Sequence, residues 1–150
     1  YYFIKRLGKC NILPGLLVGA SVGAGFAAFE SAGYAMNYLL SAGWNMMLDV
    51  IFLRGFLTPG GHIAWAAITG AAMVIASKDY GRICSDIFLN KKFLRLFIIP
   101  ILLHALWDSP LSNIGSEIYL LPIFLTFMVW VIVLIIINMG LSEIAKHKMN

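Results

Sequence analysis

In the run His104-Ala105-Leu106-Trp107-Asp108, a histidine and a carboxylate stand four residues apart inside a strongly apolar segment. On a helix, residues at i and i+4 share a face, so imidazole and carboxylate point the same way. Unsatisfied polar groups are expensive in lipid, so those that persist there pair, bind or react. Two more polar side chains, Glu30 and His62, lie in other apolar segments. Glutamate, aspartate and histidine are oxygen and nitrogen ligands of a catalytic zinc. An intramembrane cluster of them suits metal-assisted hydrolysis: the ion lowers the pKa of a water, and a carboxylate base takes its proton.

The elements that must bring these residues together are helices in a membrane. The chain is 61% hydrophobic and 12% charged, with a mean hydropathy of +0.87, where soluble domains carry about 25% charged residues. The expected fold class is therefore all-α, a polytopic transmembrane helix bundle of about four spans forming a single integral-membrane domain. The net charge of +4 is too small to read as a nucleic-acid signal. Cys10 and Cys84 stand singly, so neither a disulfide nor a thiolate metal site is indicated. Apolar stretches at about 12–40, 60–76, 93–107 and 118–139 read as the spans. The stretch 44–58, with Asp49 and Arg54, is too short and too polar to cross, so a short interfacial or re-entrant helix is expected there. Pro100 should kink the third span.

Charge orients the chain. Lys5, Arg6 and Lys9 precede the first span; Lys78, Arg82, Lys91, Lys92 and Arg95 surround the second-to-third connection; Lys146 and Lys148 follow the fourth. The other connections carry Arg54 alone. Four spans place every basic segment on one side, which the positive-inside rule makes cytoplasmic. The first span then runs outward with Glu30 in its outer half. His62 opens the second span at the outer surface, and His104 and Asp108 end the third there. All four side chains fall within roughly 15 Å of one another in depth.

The first span carries a packing face. At 100° per residue Gly15, Gly19, Gly23, Phe26, Glu30, Gly33, Tyr34 and Asn37 share one arc. A ladder of glycines four apart lets another helix backbone approach closely. Glu30 lies on that arc, so it should face protein and be paired, protonated or metal-bound. His62, Ala66, Thr69, Gly70, Met73 and Ser77 form a similar small and polar stripe in the second span. Each residue taken alone has a plainer reading: a neutral acid bonded to a carbonyl, a snorkelling histidine, a His–Asp pair closing a helix end. Trp44, Trp65, Trp107 and Trp130 read as interface or packing aromatics. The joint occurrence at one depth favours a shared site.

The same residues carry a resemblance. Gly25-Phe26-Ala27-Ala28-Phe29-Glu30-Ser31-Ala32-Gly33-Tyr34 resembles the GFAxxENxxY segment of the PrsW family of intramembrane proteases. Arg54, His62 and Gly70 resemble its next motif, and His104-Ala-Leu-Trp-Asp108 its final HxxxD/N motif. The order and approximate spacing agree from about 12 to 108. Two departures stand out. Ser31 replaces the usual Asn, and the family's Glu-Glu pair is absent, since Glu30, Glu117 and Glu143 are nowhere adjacent. The expectation is that the pair lies upstream of Tyr1 in a longer chain, and that this fragment alone is inactive.

The resemblance implies an intramembrane metalloprotease acting on a membrane-anchored protein, with an anti-sigma factor as one candidate partner. It implies zinc as cofactor, held by His62 and His104. Glu30 and Asp108 would be ligand or supporting carboxylates, and Arg54 would bind a substrate carboxyl or an oxyanion. A catalytically inactive scaffold or immunity-type protein and a small transporter are the competing readings. A transporter needs polar groups along the cytoplasmic half as well, where little beyond Ser77 is found.

Overall fold

A computed structural model describes residues 1–8, 11–109 and 120–149. Lys9, Cys10 and the connection holding Asn113 and Glu117 lie outside the described residues, so the outer loop expected there is not described either. Among the described residues six α-helices follow one another: α1 (Tyr2–Arg6), α2 (Ile12–Ala42), α3 (Trp44–Leu57), α4 (His62–Ser77), α5 (Lys91–Trp107) and α6 (Leu120–Met149). No strand occurs among the described residues. The molecule is an all-α membrane helix bundle. Among the described residues three segments are long and apolar enough to cross a bilayer: Ile12–Ala42, Trp44–Ser77 and Leu120–Lys146. At 17 residues, α5 is only about 25 Å long, slightly short of a hydrocarbon core of about 30 Å. The four expected spans thus become three full-length segments and one shorter helix.

Glycine decides how α2 meets α4. Lipid tails are as apolar as leucine, so burial gives helices little reason to associate in a membrane, and close backbone packing must do it. A Cβ on Gly19 would land on the carbonyl group of Ala66, and one on Gly23 on the His62 carbonyl. One on Gly70 would land on the Gly15 carbonyl. The two helices therefore run antiparallel in near-backbone contact, with 15 beside 70 and 74, 19 beside 66, and 23 beside 62. The face expected from the sequence holds as close backbone packing through Gly23; beyond it Phe26, Glu30 and Tyr34 still meet His62 and Arg54, whereas Gly33 and Asn37 lie open. Gly33 has open space where a Cβ would stand, and Phe26 and Asn37 are exposed. Ala27 and Ala35 are buried instead.

The reason is α3. Gly43, at φ 86°, turns the chain after α2, and α3 folds back along the upper part of α2. Arg54 comes level with Ser31, as His62 comes level with Gly23. The stretch expected as a short interfacial or re-entrant helix is thus the upper half of one broken arm, α3 then α4, that descends antiparallel to α2. A change of partner at the break shifts the buried face of α2.

The second half of the arm is the centre of the bundle. Ala64, Trp65, Ile68 and Ala71 of α4 pack with Leu103 of α5 and with Leu125, Val129, Val133 and Ile136 of α6. At the opposite end Ile4, Ala72, Val74, Ala76, Ile83, Ile87 and Phe93 form a second apolar cluster. Pro100 sits inside α5, which continues through it as helix to Trp107.

Polar ties close the basic end. Glu143 of α6 accepts the Ile12 backbone N–H at 2.9 Å and the Lys78 ammonium at 2.7 Å, joining the ends of α2, α4 and α6. Asn90 caps α5 by accepting from the Lys92 N–H. Lys92 and then Asn90 donate to Asp79 and hold its carboxyl below the usual carboxylate range.

Gly19→Leu should lower stability by roughly 1–3 kcal/mol, because a side chain there meets backbone that cannot give way. Gly33→Ala should be neutral or slightly stabilising, since helical Gly costs about 0.5–1 kcal/mol relative to Ala and the space is open. Thermal unfolding in detergent reads both. An unchanged midpoint for Gly19→Leu would contradict the packing.

Candidate functional site

The site begins where the descending arm breaks. Pro59 lies in the 3-10 turn Thr58–Gly60, and proline removes a backbone donor, so the helix entering this turn is not continued. Gly60 admits α6 closely: a Cβ there would stand 3.0 Å from Thr126 Oγ1. The chain restarts as α4 with Gly61 as N-cap and His62 in its first position. The break thus sets an imidazole at the head of the most buried helix, against the glycine face of α2.

From His62 a run of contacts leads both ways. Its Nδ1 lies 3.4 Å from Glu30 Oε2, and the same carboxylate receives the Arg54 guanidinium. Arg54 Nε also donates to Ser31 Oγ at 3.1 Å. Its guanidinium carbon stands 4.2 Å from the centre of the Tyr34 ring, within the range of a cation–π contact. On the other side the His62 and His104 rings meet edge to face, centroids 5.2 Å apart. His104 Nε2 in turn lies 3.1 Å from Asp108 Oδ2, one helical turn along α5.

All five residues singled out in the sequence therefore stand in one continuous line: Arg54, Glu30, His62, His104, Asp108. They do not all line one cavity. A groove of about 340 Å3 between α2, α4 and α5 takes His62 and His104 in its wall but neither carboxylate. Glu30 is turned to Arg54, and Asp108 is exposed at the C-cap of α5. Arg54 is likewise the counter-ion of Glu30 in this structure, whereas the sequence pointed it at a substrate carboxyl or an oxyanion.

Three further residues belong to the arrangement. Ser31 and Tyr34 hold Arg54 from α2. Trp65, a buried indole, stacks on His104 at 4.6 Å and 27° and meets His62 edge-on at 5.0 Å and 74°. Sequence reasoning read Trp65 as a packing aromatic. Its spacing of three from His62, which puts both on one helix face, is the signal that could have found it.

A metal finds part of its ligand set here. His62 Nε2 is buried without a hydrogen-bond partner, so its bonding capacity is unspent, and a second imidazole adjoins the ring. Among the described residues no three His, Cys, Asp or Glu side chains gather closely enough to hold one ion. The donor types fit a catalytic zinc, but the number of gathered donors falls short of the three that such a site takes.

Fold and site together define a membrane-embedded helix bundle with a histidine–carboxylate line at a helix break. A model of the PrsW family of intramembrane metalloproteases matches residues 2–137, and the chain belongs to that family. No curated protein and no solved structure matches the chain. Membership supports a protease role and implies a metal.

The Arg54–Glu30 pair is about three-quarters buried, so its members should be coupled. In a double-mutant cycle with Arg54→Ala and Glu30→Ala, unfolding midpoints in detergent should show a coupling of at least about 0.5 kcal/mol. Strict additivity would contradict the pairing.

Proposed function

We propose that the protein is an intramembrane endopeptidase whose reacting centre is the His62–His104 pair, cutting a peptide bond of a membrane-anchored protein. An anti-sigma-factor-like substrate is the candidate partner. The observation that carries the reading is His62 itself. One nitrogen faces a carboxylate, the other is buried without a partner, and a second imidazole stands at its edge.

The carboxylates act through the imidazoles. With a guanidinium on it, the Glu30 carboxylate is an acceptor only, so His62 carries its proton on Nδ1 and keeps a lone pair on Nε2. Asp108 does the same for His104 at Nε2, leaving Nδ1 as its open nitrogen. His62 Nε2 and His104 Nδ1 are the proposed metal-binding atoms, and zinc is the proposed ion. Bound there, it would supply Lewis acidity and lower the pKa of a water. Arg54 keeps Glu30 in place, with Ser31 and Tyr34 holding the guanidinium. Trp65 keeps both rings from turning.

The orientation proposed is that of the positive-inside rule. Lys5, Arg6, Lys78, Lys92 and Lys146 lie at the end of the bundle away from His62, so cleavage falls near the outer face of a bacterial cell membrane. A transport path would need polar groups down the lower half of the bundle. There Ile4, Ala72, Val74, Ile87 and Phe93 fill the interior, which favours the protease.

His62→Ala and His104→Ala should each abolish cleavage of single-span reporter proteins that the unaltered protein cuts, while the unfolding midpoint stays within a few degrees. Metal content should fall in both. Full activity in both variants would contradict the assignment. Lost activity with unchanged metal content would make the two histidines acid–base groups instead.

A further inference from the structure

A hydrolase buried in lipid consumes one water for every bond it cuts, giving one carboxylate and one amine. Among the described residues one cavity reaches both imidazoles and another reaches His62 alone, and they differ in chemistry and in direction. The larger groove runs along the helices. Its walls step down one face of α4 through His62, Trp65, Ala66 and Thr69, and up α5 through Phe97, Pro100, Ile101 and His104. Steps of three and four residues over seven make it about 10 Å long, pointing from the histidines into the apolar depth of the bundle. α2 and α5 both pack on α4 but hardly on each other, which leaves the groove open sideways. Apart from the imidazoles, the Trp65 indole N–H and the Thr69 hydroxyl, which is already given to the Trp65 carbonyl, the residues of its wall have apolar side chains or none.

The second cavity, of about 180 Å3, shares His62 and Trp65 with the first. Leu57, the last residue of α3, Gly61, which precedes α4, and Trp107, the last of α5, build its wall together with Arg54 and His62. It therefore opens where the chain turns, at the ends of the helices. An enclosed water needs room and two or more polar partners. This cavity has the Arg54 guanidinium and the His62 side chain in its wall. His62 and Trp65 line both cavities and stand as the partition between them.

Resting on the protease reading, we infer that the Arg54–Leu57–Trp107 cavity is the aqueous entrance of the site. Water reaches His62 through it from the helix ends, and Trp65 stands between this entrance and the apolar length of the groove below the histidines. Bulk water is the ligand class of this cavity, and the partition separates it from the side on which lipid and apolar chain lie.

Cysteine reactivity tests this without any cleavage assay, because a charged thiol reagent needs water and a thiolate. With Cys10 and Cys84 replaced by alanine, Leu57→Cys and Ile101→Cys are compared in liposomes opened so that reagent reaches both faces. Leu57→Cys should react with a charged methanethiosulfonate at least about a hundredfold faster than Ile101→Cys. Both should react with a small apolar maleimide, which shows that each thiol is accessible in the folded protein. Equal rates with the charged reagent, faster reaction at position 101, or no reaction at 57 would overturn the entrance.

Filling the cavity with Leu57→Trp should lower kcat about tenfold or more with KM little changed, since water supply and not substrate binding is impaired. A folded Leu57→Trp protein with full kcat would also overturn it. Cleavage with the wrong labelling pattern contradicts the entrance alone. The right pattern in a protein that cuts no membrane-anchored substrate contradicts the protease reading alone.

Discussion

The close approach of two helix backbones, α2 and α4, underlies everything else in this molecule. Gly15, Gly19 and Gly23 on one side and Gly70 on the other remove the side chains that would keep the axes apart. In lipid this is a main source of helix–helix attraction, because no water is released by packing apolar faces together. The contact also sets register. With Gly23 against the His62 carbonyl, the head of α4 can sit at only one height on α2. Glu30, two turns further along α2, then overhangs the break at a distance that its own side chain and the His62 ring can bridge. A slip of one turn, about 5 Å, would separate the pair.

The break is the second constraint. A continuous helix from Trp44 to Ser77 would carry Arg54 and His62 on a rigid rod, their relative placement set by helix geometry alone. The turn around Pro59 uncouples them. Arg54 can then belong to the upper arm, locked by Ser31 and Tyr34, while His62 belongs to the buried lower one. α5 and α6 complete the pattern from outside: α5 brings His104 and Asp108 to the level of His62, and α6 presses Thr126 against Gly60 at the break.

Much of this was legible in the amino-acid order. Glycine spacing announced the α2–α4 contact, and the isolated polar residues in apolar runs marked Glu30, His62, His104 and Asp108. What was not legible depended on which partner each face meets. Periodicity carries an arc forward unchanged, so Gly33 and Asn37 were placed on a packing face that ends where α4 gives way to α3. The stretch from Trp44 looked interfacial because length and polarity describe a segment alone. Its antiparallel course along α2 is a tertiary fact. The pairing of Arg54 with Glu30 depends on that same course. Trp65 was hidden for a similar reason, since stacking on His104 requires α5 to arrive beside α4.

The central claim is that the His62–His104 pair is a metal-binding centre set by the helix break. X-ray absorption at the zinc edge of the purified, zinc-loaded protein tests it most directly, by counting imidazoles and their distances. The account predicts two imidazole nitrogens at about 2.0–2.1 Å, reduced to one, with less zinc retained, in His62→Ala. Zinc bound with no imidazole in its shell, or a spectrum and zinc content that His62→Ala leaves unchanged, would contradict it.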